Sequence, residues 1–208
     1  MTAKPTALNR PVSRDQVVRV AFDIIDADGI EGFNLRLVAR KLGIKAPSLY
    51  NHFSSKADLL ECVSRELMLR TQLPDADERD WREYTVKLAL YFRRNLMTHY
   101  NVAPLLLSYF PRDILISAYD RSIRRYEAPV AWHLMISEGV EKFTLGSALF
   151  AAALKSQGKA AFPVFDRQAY AQLATAIEAN PYDDEQLFTE TVRHFLSAIP
   201  DGLAAAPD

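Results

Sequence analysis

The sequence predicts an all-α chain, and three observations carry that expectation. Apolar residues recur three and four positions apart from Ser13 almost to the end. Glycines and prolines stand mostly between these runs, as stops and starts. No run of period-two alternation flanks a tight turn, so no β-hairpin is signalled. With 49% apolar residues in 208, and only 7 glycines and 11 prolines, the composition is that of an ordinary globular protein with a substantial core.

Residues 1–12 lack periodicity and include Pro5 and Pro11, which predicts a disordered arm. From Ser13, the spacing of Val17, Val20, Ala21, Ile24 and Ile25 predicts a helix that halts near Gly29. Asn34 is a good N-cap for a second helix whose apolar face is Leu35, Val38, Ala39 and Leu42, ending at Gly43. A short third helix opens with Pro47 and runs to about His52. In "SSKAD", Ser55 and Asp58 form a capping signature for a longer helix through Leu59, Leu60, Val63 and Leu67. The stretch "LPDADERD", Leu73 to Asp80, breaks the pattern and marks a boundary. Beyond it, helices are expected at 81–100, 102–109, 112–137, 141–157, 167–179 and 184–198, punctuated by Gly139, Gly158, Pro163 and Pro181. Residues 201–208 read as a disordered tail.

Several function classes are disfavoured. No basic start followed by an apolar run suggests a signal peptide, and "SALFAAAL" and "VAPLLLSYF" fall short of the roughly 18 residues a membrane helix needs. The single cysteine, Cys62, fits a reducing compartment, the cytoplasm by default, and its place on an apolar helix side suggests a buried, inert thiol. His52, His99, His133 and His194 are scattered, without H-E-x-x-H or metal-ligand spacing. No Gly-rich phosphate loop or G-x-S-x-G elbow is present. Neither an enzyme nor a cofactor is expected. A helical ligand-binding protein or enzyme remains the contrasting reading, and a DNA-binding dimer without small-molecule input a third.

The net charge of −1 hides an asymmetry: residues 1–60 carry nine Lys/Arg against six Asp/Glu, the remainder 16 against 20. Within the basic part, two short helices joined at Gly43 form a helix-turn-helix candidate. Leu49 and Phe53, four apart, can face inward, leaving Pro47, Ser48, Tyr50, Asn51 and His52 mostly outward. Arg36, Arg40 and Lys41 lie beside that face, Lys45 flanks its entrance, and Lys56 sits in the first turn of the next helix. A cation at a helix N-terminus opposes the dipole unless a phosphate joins it there. On residues alone, Tyr50 and His52 fit either a nucleic-acid surface or a solvated face of an amphipathic helix.

The order "GIEGFNLRLVARKLGIKAPSLYNHFSSKADLL" resembles the DNA-binding domain of TetR-family transcriptional regulators over about residues 13–70. The resemblance implies an amino-terminal three-helix helix-turn-helix domain over 13–72, including the linking fourth helix, and a larger helical-bundle ligand-binding and dimerisation domain over 73–200. It implies that Tyr50, His52 and Lys56 hold phosphates, that Pro47, Ser48 and Asn51 face the groove, and that Arg36 can read a guanine. Arg40 and Lys45 join them as expected DNA contacts. Arg can bond two guanine acceptors at once, whereas Tyr and Lys position without reading sequence. The implied partners are a double-stranded operator, a small apolar effector and a second copy of the chain, with no membrane.

The second half is rich in aromatics at helical spacing, a pattern that core packing also produces. From them, Tyr84, Tyr91, Asn95, His99, Tyr109, Tyr126, Trp132 and His133 are the expected ligand-pocket residues. The segment around "KFTLG" resembles the tetracycline-repressor type of carboxy-terminal domain. Where tetracycline-binding members carry magnesium-site histidines, this chain carries Gln72 and Leu106, so no metal is expected. For dimerisation, the small residues Ser147, Ala148, Ala151 and Ala152 permit close helix approach, and Leu187, Val192, Phe195, Leu196 and Ile199 supply a second apolar face. Both faces would equally serve the core of one chain.

Overall fold

The computed structural model describes residues 12–160 and 162–202, and over these the chain is all-helical. The expected arm and tail therefore lie outside the described residues, except for Val12, Asp201 and Gly202. In chain order come α1 (Arg14–Asp28), α2 (Leu35–Leu42), a 3₁₀ turn η1 (Ala46–Asn51), α3 (Lys56–Leu69), α4 (Trp81–Thr98), a second 3₁₀ turn η2 (Ala103–Leu107), α5 (Arg112–Ile123), α6 (Val130–Ser156), α7 (Ala171–Ala179) and α8 (Asp184–Ser197).

Local chemistry sets most of these limits. Ser13 and Gln16 form a reciprocal capping box at α1, and Asp183 and Gln186 form another at α8. Asn34 Oδ1 accepts the Leu37 N–H at 2.9 Å, and Ser55 Oγ accepts that of Asp58 at 3.1 Å. Gly43 closes α2 at φ 68° and ψ 25°, a left-handed conformation in which a Cβ is unfavourable.

Four expected elements or limits are corrected. Positions 112–137 do not form one helix: the chain turns at 124–129, because Pro129 biases Ala128 away from helical geometry. Gly139 is no stop either, since α6 runs 27 residues through it, about 40 Å at 1.5 Å per residue. A Cβ at Gly139 would lie 3.3 Å from Cζ of Phe195, so this glycine serves close packing of α6 on α8. The helix expected at 102–109 is the 3₁₀ turn η2, and the one expected at 167–179 begins only at Ala171.

Two apolar cores result. The first joins Val17, Phe22, Ile25, Val38, Leu49, Phe53 and Leu67 of the amino-terminal helices to Leu96, Val102, Leu105 and Leu106. The carboxy-terminal end of α4 and η2 thus pack directly on α1 and α3, so the core continues past the "LPDADERD" break. Polar ties follow the same seam. His99 Nδ1 lies 2.9 Å from Asp26 Oδ2, Asn101 donates to the Asp26 carbonyl at 2.8 Å, and Asn95 donates to the Leu67 carbonyl at 2.7 Å and to Thr71 Oγ1 at 3.1 Å. The Arg70 guanidinium stacks 3.6 Å above the Phe22 ring.

The second core, among α4, α6 and α8, holds Trp81, Val86, Tyr126, Ile136, Phe188, Val192 and Leu196. Arg193 forks onto Glu83 at 2.7 and 3.2 Å, clamping α8 to α4. Arg93, only 3% exposed, is satisfied by Ser147 Oγ at 3.0 Å and by Asp184. The expected dimer faces are partly consumed here. Ala148, Ala152, Val192, Leu196 and Ile199 are buried within the chain, while Leu187 and Phe195 stay exposed and Ser147 and Ala151 are half-buried.

Candidate nucleic-acid interface and ligand cavity

The interface is built outward from two anchors. Leu49 and Phe53, 2% and 4% exposed, fix η1 in the first core. Backbone bonds from Ser48 to Lys45 and from His52 to Leu49, each 2.9 Å, wind the segment between them into a 3₁₀ turn rather than an α-helix. At about 2 Å per residue its six residues span about 12 Å, close to the width of a DNA major groove. With Leu49 inward, Tyr50 is 59% exposed and Pro47 and Asn51 are also exposed, whereas Ser48 and His52 are half-buried.

The basic residues surround this turn. Arg36, Arg40 and Lys41 occupy the exposed side of α2, opposite buried Val38 and Ala39, and Lys45 is exposed at the start of η1. The Lys56 ammonium sits 5.3 Å above the Phe33 ring, which steadies it in the first turn of α3. Sequence reasoning missed what braces that turn. Asp58 Oδ2 accepts the Ser54 amide at 2.8 Å and the Ser54 hydroxyl at 3.1 Å, while Arg14 meets Oδ1 at 3.0 Å and lies over Phe53. The backbone bond from Ser54, aided by its hydroxyl and by Arg14, holds the Asp58 carboxyl below the usual carboxylate range. Cys62 is half-exposed rather than buried, with Arg14 Nη2 3.2 Å from Sγ.

A cavity of about 370 Å³ opens among the end of α3, α4, α5 and α6. Its walls are mainly apolar, from Met68, Leu69, Leu88, Phe92, Ile114, Leu115 and Val140, with Thr85, Tyr119, Ser122, Ser137, Glu141 and Thr144 among its polar members. This size falls in the roughly 300–1,000 Å³ range of small-molecule sites.

Of the eight expected pocket residues, Tyr126 is on this wall and the other seven are elsewhere. Asn95 and His99 tie α4 to α3 and α1 at the seam. Tyr109 packs against the first core and Trp132 against the second. Tyr84 is buried beneath the Arg125 guanidinium at 4.1 Å, Tyr91 is half-buried, and His133 Nε2 bonds the Ala128 carbonyl at 2.8 Å beside Tyr126. The missed wall residues, such as Ile114, Leu115 and Tyr119, come from α5, whose entire length lacks a buried residue. A helix spaced off its neighbours could have been suspected from its weak apolar face. Gln72 is exposed, and Leu106 is buried in the first core.

Against known proteins, residues 17–63 match the family described as bacterial regulatory proteins, tetR family. The chain is 32% identical over 90 residues to the class C tetracycline repressor protein of Escherichia coli, covering 42% of this chain and 41% of that protein. With the class E tetracycline repressor protein of Escherichia coli it shares 27% over 143 residues, 66% of this chain and 68% of that protein. The aligned part thus spans less than half of the first relative and about two thirds of the second. The solved structure of apo ActR from Streptomyces coelicolor superposes with a TM-score of 0.73 at 18% identity, covering 92% of this chain and 97% of that one, a likeness of fold. ActR has also been solved with (S)-DNPA and with actinorhodin.

Proposed function

This chain is a TetR-family transcriptional regulator, and we propose that it acts as a homodimeric repressor, released from a palindromic operator when a small molecule fills the α3–α6 cavity. Regulators of this family are DNA-binding, ligand-responsive and non-enzymatic. One observation carries the proposal: α3 reaches both sites. Its first turn holds Lys56 beside η1, and its last turn puts Met68 and Leu69 on the cavity wall.

In this reading, Arg36 and the groove-facing Pro47, Ser48 and Asn51 read bases. Tyr50, His52, Lys45, Arg40 and Lys56 engage phosphates. A six-residue turn covers only a half-site, so a second copy is required for adequate affinity. The exposed Phe143 and Phe150 of α6, on the same side of that helix as Gly139 against Phe195, together with Leu187 and Phe195 of α8, supply the surface that a second copy would cover. No helix among the described residues is long and apolar enough to cross a membrane, and we place the protein in the cytoplasm with its operator.

Release requires that the effector bind the DNA-incompetent arrangement more tightly. A coupling of about 1–3 kcal/mol changes operator affinity by about 5–150-fold. A ligand pressing on Met68 and Leu69 displaces the end of α3, and the helix carries that displacement to the η1 turn.

The test is selection of duplexes from a random-sequence pool by the purified protein. An enriched inverted repeat, with affinity falling steeply as salt rises, is the expected result. No enrichment, or binding indifferent to salt, would overturn it.

A further inference from the structure

Resting on the reading of the α3–α6 cavity as the effector site, we propose that its ligand is an apolar molecule bearing a protonated amine, and that Glu141 is the residue that receives it. The inference comes from an inventory of the polar atoms on the cavity wall. Thr85 Oγ1 is engaged with the Trp81 carbonyl and Thr144 Oγ1 with that of Val140, both at 2.7 Å and within their own helices. The Tyr126 hydroxyl and Ser137 Oγ pair with each other at 3.1 Å. The Tyr119 hydroxyl donates to Glu141 Oε2 at 2.9 Å.

That last bond leaves the wall with spare acceptor capacity. An ionised carboxylate offers about four lone-pair sites, and Tyr119 fills one. Among the described residues, no Lys or Arg lies within ion-pair distance of Glu141. The neighbouring Lys142 pairs with Glu138, and both Lys142 and Arg112 act on Glu141 only at longer range. Burial is the largest influence on Glu141 and raises its pKa, so its charge is incompletely solvated. A cationic donor inside the cavity would supply the missing partner, and the surrounding Leu88, Phe92, Ile114 and Leu115 would take the apolar body.

Arg121 also borders the cavity, and it would favour a carboxylate instead. It is exposed on α5, however, where water already solvates and screens it, whereas Glu141 is partly withdrawn from water. The observations therefore favour an amine over an acid.

The experiment is calorimetric titration of the full-length protein, near neutral pH, with phenylbutylamine, phenylbutanol and phenylbutyrate, followed by the same compounds in an operator-release assay. A charge-assisted contact predicts that the amine binds about tenfold to a hundredfold more tightly than the alcohol, with the acid weakest. Glu141→Gln should erase the amine's advantage while leaving alcohol binding within about twofold, and Tyr119→Phe should preserve it. Equal binding of the three compounds, no binding by any, preference for the acid, or an amine preference that survives in Glu141→Gln would each overturn the proposal. Should the amine bind through Glu141 without releasing DNA, the site stands and the regulatory reading fails. Release by the alcohol or acid alone would sink the amine assignment and leave that reading intact.

Discussion

Asn95→Ala separates two roles that one residue could play. Asn95 looks from its spacing like a pocket residue, yet its amide donates to the Leu67 carbonyl at 2.7 Å and to Thr71 Oγ1 at 3.1 Å, pinning the end of α3 to α4. Each such bond contributes about 0.5–1.5 kcal/mol net. The Leu67 carbonyl keeps the Arg70 N–H at 3.3 Å after truncation, and the half-buried Thr71 hydroxyl can turn to water. The loss in unfolding free energy should therefore lie at about 1–2 kcal/mol, read from urea melts. Because the bonds hold the lever between cavity and η1, the ratio of operator affinities without and with effector should also fall, by about fivefold for each 1 kcal/mol of coupling lost. Effector affinity of the free protein, by calorimetry, should change less than twofold. A large drop in that affinity with stability and coupling unchanged would refute the assignment of Asn95 to the seam.

Tyr50→Phe should weaken binding of all duplexes by about fivefold to tenfold, the size of one lost phosphate hydrogen bond, whereas Arg36→Ala should relax preference at one base position; a selection repeated with each variant distinguishes the two. Gly43→Ala forces a Cβ into a residue at φ 68° and should lower stability by about 1–2 kcal/mol in a thermal melt, although open space surrounds the site. Asp58 titrates below its ordinary range, so the stability it contributes is present above the unfolded pKa and lost as pH falls through the lowered folded value. The difference between the parent protein and Asp58→Asn, about 0.3–1 kcal/mol from the helix N-terminus, should be constant from pH 5 to 8 and shrink below about pH 4 in urea melts. Phe150→Glu places a charge on the open face of α6 and should shift sedimentation towards a monomer; an unchanged assembly would show that the subunits meet elsewhere.

The local punctuation of the chain was legible where backbone chemistry is local. Asn34, Gly43 and Ser55 each satisfy or release nearby backbone groups, and each marks a true helix limit. Gly139 misled because a helix tolerates a glycine when a neighbour needs the space, and Phe195 does. The 3₁₀ character of η1 was hidden because Pro47 and the apolar pair Leu49 and Phe53 suit an α-helix as well.

The destinations of side chains were harder to read. His99 and Asn95 carry the polarity of a pocket, but the crossing of α4 over α1 and α3 delivers them to Asp26 and Leu67. Ala148 and Ala152 are small enough for close packing, and the sequence alone does not say whether the approaching helix belongs to the same chain. Glu141 gave no signal at all, because its importance arises from its lacking, among the described residues, a cation at ion-pair distance rather than from its spacing.

The central claim is that two copies of η1 are presented together to one face of a duplex. Sedimentation of the protein with the selected operator and with a single half-site tests it most directly. Two protomers per inverted repeat, with the half-site bound at least about a hundredfold more weakly, is the predicted result. One protomer bound to the half-site as tightly as to the full operator would contradict it.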